Sequence, residues 1–229
     1  MRNMTQSPPF PPAGGARSRR ASRRSRGREL IETLLLSVVI FLAVHAVIQS
    51  YLVDGRSMQP SLDPQERLFV NKAAYWRIED DSSLEFIARG PRADSGARYL
   101  LDGPDHGEVI VFHHPLNPNR DLIKRVIGLP GDLVEIIGGK VIVNGQELEE
   151  PYLFPGTRTR AFTASGDKRW RVPPGKLFVL GDNRNNSSDS RDWDYVPEEN
   201  VVGEALLRYW PITEIGGIPG AVALLLHRR

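Results

Sequence analysis

The chain has 229 residues, of which 40% are apolar and 25% are charged, so we expect most of it to fold around a core. Its 21 Gly and 18 Pro favour many turns and disfavour a plain helix bundle. Cysteine is absent, which excludes disulfide scaffolds, cysteine-ligated zinc sites, iron–sulfur clusters and thiol nucleophiles.

Basic residues are concentrated at one end of the chain. Residues 1–29 carry eight Arg and one acid, Glu29, for a net charge of +7, whereas the remaining 200 residues carry a net charge of −5. We expect residues 1–32 to be a disordered tail rich in Arg and Pro. A nucleic-acid-binding arm is an alternative for this tail, but a topology signal for a membrane span is the simpler interpretation. The acidic remainder is not expected to bind nucleic acid.

An apolar stretch follows the basic tail. Between Glu32 and Asp54 lie 21 uncharged residues, and sixteen of them are apolar. As a helix they would extend about 31 Å, close to the roughly 30 Å hydrocarbon core of a lipid bilayer. The sequence therefore predicts a single transmembrane helix over residues 33–53. The preceding Arg residues place the N-terminus in the cytoplasm and the rest of the chain on the outer side of the cell membrane. A removable signal peptide cut near Ala46 is the alternative.

The pattern beyond Asp54 indicates an all-β domain over residues 54–214. Short runs rich in β-branched and aromatic residues alternate with Gly, Pro, Asn and Asp, and Asn144-Gly145 is typical of a type I′ hairpin turn. The predicted strands are 68–70, 108–112, 122–127, 133–137, 140–143 and 177–180. Residues 78–106 are predicted to be a loop or insertion. Residues 215–229 are an apolar C-terminal tail, too short and too rich in Gly to span a membrane, and we expect them to dock or to lie at an interface.

The first candidate for chemistry is Ser57, in a turn that directly follows the predicted membrane helix. Gly55 permits a sharp exit from the helix, and Pro60 discourages helix beyond it. A serine in this position is a candidate nucleophile for a bond close to the membrane surface. An ordinary turn serine is the plainer interpretation of the residue on its own.

Lys124 is the candidate general base. On a strand, Leu122, Lys124 and Val126 share one face, so the amine has apolar neighbours, and burial lowers the pKa of a lysine. A lysine that is neutral at working pH can accept a proton from a serine hydroxyl. The alternative is a lysine whose amine extends into solvent. The chain has 25 Arg, which cannot deprotonate, but five Lys.

A third polar segment, residues 181–192, follows the last predicted strand. Its many short polar side chains predict a loop that hydrogen-bonds its own backbone, and Asp189 and Arg191 are suited to form an ion pair. A cation site is disfavoured because the acids lack EF-hand spacing. His106, His113 and His114 stay open as alternative bases for a Ser–His–Asp arrangement.

Four stretches together, residues 55–62, 107–112, 122–132 and 181–191, resemble the successive boxes of bacterial type I signal peptidases, in the same order behind a membrane anchor. The resemblance implies a serine endopeptidase that removes signal peptides from exported preproteins with a Ser–Lys dyad, cutting after small residues at −3 and −1. It implies a β-fold shared with the self-cleaving SOS repressors. It requires no cofactor and no metal, and it predicts no oligomeric state.

The resemblance also implies a role for individual residues. Ser57 is then the nucleophile, with its own N–H as an oxyanion donor, and Lys124 is the general base. Ser187 orients the lysine amine, and Asp189 and Arg191 support its loop. Four apolar residues near the dyad are expected to line the substrate pockets: Val53, Met58, Leu62 and Ile123.

One position departs from the pattern of some family members. Gly55 stands where they have a serine whose hydroxyl assists the oxyanion hole, so that side-chain donor is missing here. Two other functions fit the sequence. One is a tethered β-domain that binds partners without catalysis, which would be unaffected by loss of Ser57. The other is a Ser–Lys protease that cuts itself or a regulator.

Overall fold

The computed structural model describes residues 21–79, 90, 97–100 and 102–219. The chain divides into two compact units, residues 1–44 and 45–229. The first contains most of helix α1 (Ala21–Val47), and its last 21 residues, Gly27–Val47, make the one helix in the described part of the chain that is long and apolar enough to cross a membrane. No residue in the most apolar 18-residue window of this stretch is buried.

The second unit is built from antiparallel β-strands, as the sequence predicts. Its elements are β1 (Ile48–Leu52), β2 (Arg67–Asn71), β3 (Arg77–Glu79), β4 (Ala97–Tyr99), β5 (Val109–His114), β6 (Asn117–Gly128), β7 (Leu133–Ile137), β8 (Lys140–Val143), β9 (Gln146–Glu147), β10 (Lys168–Arg171), β11 (Lys176–Leu180), the short helix α2 (Ser190–Trp193), β12 (Val196–Pro197), β13 (Val201–Trp210) and β14 (Gly216–Gly217). The largest sheet has eight strands in the order β1-β2-β13-β5-β6-β11-β12, with β14 beside β13. A four-stranded sheet has the order β10-β7-β8-β9, and β3 pairs with β4.

The predicted helix boundaries are wrong at both ends. Helix α1 begins at Ala21, inside the tail expected to be disordered, and it ends at Val47 rather than Val53. Residues 48–52 form β1, which pairs antiparallel with β2. The composition of an apolar run does not show whether it forms a helix or a strand. Here the pairing of residues 48–52 with β2 determines where the helix ends. Ser57 is therefore ten residues beyond the helix end, and a sheet strand lies between them in the chain.

The six predicted strands correspond to β2, β5, β6, β7, β8 and β11, and each lies within its strand except that β5 begins one residue after the predicted start at Glu108. The predicted hairpin turn joins β8 to β9. Asn144 and Gly145 both have positive φ, 51° and 82°, as a type I′ turn requires.

The segment 78–106 differs in part from the predicted loop. Its ends form β3 and β4, which pair as a two-stranded sheet, and Tyr99 is buried in the core. The large apolar area of the Tyr99 ring explains why this part of an otherwise polar segment packs against the domain. Residues 80–89, 91–96 and 101 lie outside the described residues.

The C-terminal tail docks on the β-domain as far as it is described. β14 pairs with β13, and Ile218 is buried in an apolar cluster. Residues 220–229 lie outside the described part of the chain.

Three apolar clusters hold the strands together. One lies beneath β5, β6 and β11, and a second joins the two larger sheets, because Ile127 and Phe178 of one sheet pack against Val134 and Trp170 of the other. The third cluster lies beneath the turn that carries Ser57, and it contains Val53, Met58, Leu62, Leu68, Val109, Ala205 and Ile218.

Candidate active site

Ser57 lies in the turn between β1 and β2, which two buried side chains anchor. Met58 and Leu62 are fully buried, and the Leu62 amide donates to the Met58 carbonyl at 3.0 Å. The Val53 amide donates to the Glu66 carbonyl at 2.9 Å and closes the base of the turn. The apolar residues of the turn are thus drawn into the core, and Ser57 between them is left half-buried at the surface.

Lys124 projects from β6 toward this turn. Its side chain is almost completely buried, with the residue 2% exposed. Its Nζ lies 2.7 Å from Ser57 Oγ and donates to the Ile123 carbonyl at 2.8 Å. The fold therefore joins the predicted nucleophile and the predicted base in one hydrogen bond.

The environment of Lys124 favours its neutral form. Burial lowers the pKa of the amine to about 8, and the positive charge of Arg120 also lowers it, while Asp189 and Asp182 act in the opposite direction. Burial is the largest of these effects, because removing an ammonium from water is costly without a close counter-charge.

The segment after β11, which we call the catalytic loop (residues 181–191) after its predicted role, holds the backbone of the predicted nucleophile. The Asn183 amide donates to the Ser57 carbonyl at 2.9 Å, and its side-chain Nδ2 donates to the Arg56 carbonyl at 3.0 Å. Gly181 allows this close approach, because a Cβ there would lie 2.1 Å from Ser187 Oγ and 2.6 Å from the Ser57 carbonyl.

Ser187, which is expected to orient the Lys124 amine, differs from that expectation in the structure. Its hydroxyl is buried against Gly181, but it has no hydrogen-bond partner among the described residues. The predicted hydrogen bond between Ser187 and the Lys124 amine is absent from this structure, in which the amine contacts Ser57 Oγ and the Ile123 carbonyl.

Asp189 and Arg191 form a buried ion pair within the catalytic loop. Asp189 Oδ1 accepts from Arg191 Nε at 2.8 Å, and Oδ2 accepts from Arg191 Nη2 at 2.8 Å and from the Gly181 amide at 3.0 Å. Arg191 also donates to the Arg184 carbonyl at 2.8 Å, so the pair closes the loop on itself.

The structure contains a second buried ion pair, which the sequence does not predict. Arg125 is fully buried and donates to both carboxylate oxygens of Asp182, at 2.9 and 2.7 Å. Its guanidinium also donates to the carbonyls of Gly107 and Pro219 and stacks on the ring of Tyr152. Arg125 and Asp182 both lie in stretches that the sequence analysis marks as functional, next to Lys124 and Gly181. The sequence does not show, however, that these two side chains contact each other.

The histidine alternative receives no support from the geometry. His106 shares a hydrogen bond with Asp132 at 2.7 Å, and His113 shares one with Asp121 at 2.7 Å. Among the described residues, the side-chain partner of Ser57 Oγ is Lys124.

The predicted pocket residues do not form a common surface. Met58 and Leu62 are fully buried in the third cluster, so the expectation that they line an open pocket is wrong: the turn uses them as its anchors. Val53 is 4% exposed, and Ile123, which packs against the same cluster, is half-buried.

An open strand edge lies next to Lys124. Residues 117–124 of β6 pair with β5 on one side, whereas β11 pairs with the opposite side from Arg125 onward. Among the described residues, the backbone of β6 before Lys124 has no strand partner on that side. Such an edge can accept an extended peptide as an added strand.

Comparison with known proteins gives the chain its family. Residues 27–210 match the family described as signal peptidase, peptidase S26. A signal peptidase I of Leptolyngbya laminosa is 36% identical over 91% of this chain and 92% of its own, and one of Bacillus caldolyticus is 36% identical over 84% and 95%. A crystal structure of a signal peptidase I from Enterococcus faecalis matches with a TM-score of 0.38 and 32% identity, over 44% of this chain and 95% of its own.

The family match includes most of α1 and nearly all of the β-domain, and both relatives are similar over most of their length. The chain therefore belongs to the signal peptidase family, peptidase S26, a family of serine endopeptidases.

Proposed function

We propose that this protein is a membrane-anchored serine endopeptidase that removes N-terminal signal peptides from preproteins, with Ser57 as nucleophile and Lys124 as general base. The observation that carries the proposal is the 2.7 Å contact between Ser57 Oγ and a buried lysine amine whose pKa is lowered to about 8. The relatives named signal peptidase I support the substrate class.

The reaction follows from this geometry. The neutral Lys124 amine accepts the proton of the Ser57 hydroxyl as Oγ attacks the carbonyl carbon of the scissile bond. The resulting ammonium then donates that proton to the leaving amine, and the acyl group stays on Ser57. Water, deprotonated by the same amine, attacks the ester and releases the signal peptide with Ser57 restored.

The negative oxygen formed during attack needs donors. The Ser57 N–H donates to no group among the described residues, so it is available for the oxyanion. Gly55 has no side chain that could act as a second donor, although a side chain would have room there, since a Cβ on Gly55 would have Ser57 N at 4.0 Å as its nearest neighbour. A second donor in this protein is therefore another backbone N–H or a water molecule.

The substrate would bind in an extended conformation along the open edge of β6. Pairing with residues 117–124 brings a peptide carbonyl to the dyad at the end of that edge. Val53 and Ile123 lie close to Ser57 and Lys124 in the chain, and both pack against the third apolar cluster. We therefore propose a preference for small residues at −3 and −1 of the substrate.

The apolar helix and the family together indicate a membrane-anchored enzyme. We propose that the Arg-rich tail is cytoplasmic and that the β-domain, from β1 onward, lies on the outer side. Exposed apolar side chains of the β-domain suit a position at the membrane surface: Leu52, Trp210, Ile212 and Ile215.

The test of the dyad is cleavage of a preprotein by the detergent-solubilised protein, with the cut mapped by mass. We expect Ser57→Ala and Lys124→Ala each to abolish cleavage while the domain stays folded. Lys140→Ala is the matched control, because Lys140 is an exposed lysine on β8. Cleavage by either dyad variant at the wild-type rate would refute the assignment.

A further inference from the structure

Arg184 lies in the catalytic loop, fully buried, although no step of the proposed reaction uses its charge. Its guanidinium donates to both carboxylate oxygens of Glu150, to Oε2 at 3.0 Å and to Oε1 through Nη2, and to Thr159 Oγ1 at 2.6 Å. A planar guanidinium bound by two parallel hydrogen bonds is held in position and in orientation.

Glu150 comes from outside the catalytic loop. It lies in the connection between β9 and β10, the two edge strands of the four-stranded sheet, and its side chain is 12% exposed. The carboxylate also accepts from the Tyr152 hydroxyl at 2.9 Å. Burial is the largest single influence and lowers the pKa of Arg184, but the charge and hydrogen bonds of Glu150, together with Tyr152 and Asp182, outweigh it, so the net effect raises this pKa. The guanidinium of Arg184 therefore stays charged.

Arg184 is connected to the nucleophile by two short routes. Its Nε donates to the Gly181 carbonyl at 3.1 Å, and Gly181 is the residue wedged against Ser57 and Ser187. The residue before it, Asn183, donates from its backbone amide to the Ser57 carbonyl at 2.9 Å. A displacement of Arg184 would thus move both residues that touch the backbone of Ser57.

We propose that Glu150 is a positioning residue for the peptidase reaction, which acts through Arg184 to hold Gly181 and Asn183 against Ser57. This inference rests on the proposed function, since it assumes that Ser57 is the nucleophile. Nothing in the sequence marks Glu150: it lies outside the four stretches that resemble the family, 93 residues from Ser57 along the chain.

The electrostatics explain why the loop depends on this carboxylate. A buried guanidinium that loses its counter-charge is strongly unfavourable, so it moves toward water when it can. In the catalytic loop that movement carries Asn183 with it and weakens the hydrogen bond to the Ser57 carbonyl. A shift of about 1 Å at a reacting group is enough to slow an enzyme by about 100-fold.

The test is steady-state cleavage of a preprotein by the full-length protein carrying Glu150→Gln, which keeps the shape of the side chain and removes its charge. We expect kcat to fall by about tenfold or more, with KM within about twofold of wild type, because the substrate edge on β6 does not involve Glu150. Rates are normalised to the folded fraction, measured by circular dichroism at the assay temperature. Glu147→Gln is the matched control, since Glu147 at the end of β9 forms an exposed ion pair with Lys140 of β8, and it should leave both constants unchanged.

A double-mutant cycle keeps the proposal testable if Glu150→Gln is poorly folded. If Glu150 acts through Arg184, Glu150→Gln combined with Arg184→Gln should have the same kcat, within about twofold, as Arg184→Gln alone. Losses that multiply, or a Glu150→Gln variant that melts at a lower temperature but keeps wild-type kcat per folded molecule, would overturn the positioning role. Activity in Ser57→Ala, measured in parallel, would instead overturn the proposed function on which it rests.

Discussion

A buried lysine places opposite demands on folding and on catalysis. Lys124 is 2% exposed and its amine lies 2.7 Å from Ser57 Oγ, so the folded state favours the neutral amine that the proposed reaction needs. The same burial costs stability at neutral pH, because the unfolded chain keeps its lysine charged and solvated. Both consequences can be measured through the dependence on pH.

Activity should rise with pH around the pKa of this amine. With a pKa of about 8, roughly a tenth of the enzyme carries neutral Lys124 at pH 7 and roughly nine tenths at pH 9. We expect kcat/KM to increase about tenfold between these values, and Lys124→Arg to be inactive because a guanidinium cannot act as base. The measurement is a rate profile from pH 6 to 10, with Lys140→Met as control. A profile without a midpoint near 8 would contradict the role of Lys124.

Stability should also rise with pH, in a range fixed by the same group. Between the folded pKa of about 8 and the unfolded value of 10.5, the unfolded chain binds more protons, so the free energy of unfolding increases as the pH rises. Over this range the gain is about 3 kcal/mol, at about 1.4 kcal/mol per pH unit.

Lys124→Met removes this group and should lack that gain. Urea unfolding in detergent at pH 7.5 and pH 10.5 gives the free energies for both proteins. Other titrating groups act equally on the two, so the difference between them isolates Lys124. If the two free energies change in parallel with pH, the amine is not the buried group that the structure describes.

At the scale of elements, the site depends on the close approach of two loops. The turn that carries Ser57 and the catalytic loop meet at Gly181, where an added Cβ would lie 2.1 Å from Ser187 Oγ and 2.6 Å from the Ser57 carbonyl. The second of these neighbours is backbone and cannot rotate away, so Gly181→Ala must push the loops apart.

We expect Gly181→Ala to lower kcat by about 100-fold while the β-domain stays folded. Gly55→Ala is the matched control in the same site, because a Cβ there has no neighbour nearer than Ser57 N at 4.0 Å. Comparison of the two rates with wild type decides the matter. A Gly181→Ala protein that retains more than about half of wild-type kcat would show that the loops tolerate the displacement.

The strands that the sequence predicts are those with a local signal. β7 and β8 begin and end where the sequence predicts, and Asn144-Gly145 joins β8 to β9. β13 has no such signal: its central residues, Gly203-Glu204-Ala205, suggest no strand, and it forms because β2 and β5 pair with it on both sides. A Cβ at Gly203 would lie 2.4 Å from the Asn71 carbonyl, so this glycine is explained by a neighbour that the sequence does not reveal.

The candidate site shows the same division. Ser57 and Lys124 are predictable from their motifs, and the side-chain chemistry of each suggests its role. The contacts that hold them, such as Asn183 to the Ser57 carbonyl and Arg184 to Glu150, join segments distant in the chain. Local sequence patterns carry no information about contacts between distant segments. For the same reason the sequence predicts Met58 and Leu62 at a substrate pocket, whereas both are buried in the core.

At the scale of the whole molecule, charge and hydropathy are segregated along the chain. The first 29 residues have a net charge of +7, a 21-residue apolar helix segment ends at Val47, and the β-domain follows directly with β1. Positive residues beside a membrane span are retained on the cytoplasmic side. The arrangement predicts that the tail and the β-domain lie on opposite sides of the membrane.

The absence of cysteine in the sequence makes this topology directly measurable. Ser18→Cys introduces one thiol into the Arg-rich tail, and Ala164→Cys introduces one at an exposed position of the β-domain. In intact cells, a membrane-impermeant maleimide should label the Ala164→Cys protein and not the Ser18→Cys protein, whereas lysis should expose both thiols. Labelling of the Ser18→Cys protein from outside would reverse the orientation. If that protein instead stays unlabelled after lysis, with a mass lacking the first 46 residues, the apolar segment is a removed signal peptide and the β-domain has no anchor of this kind.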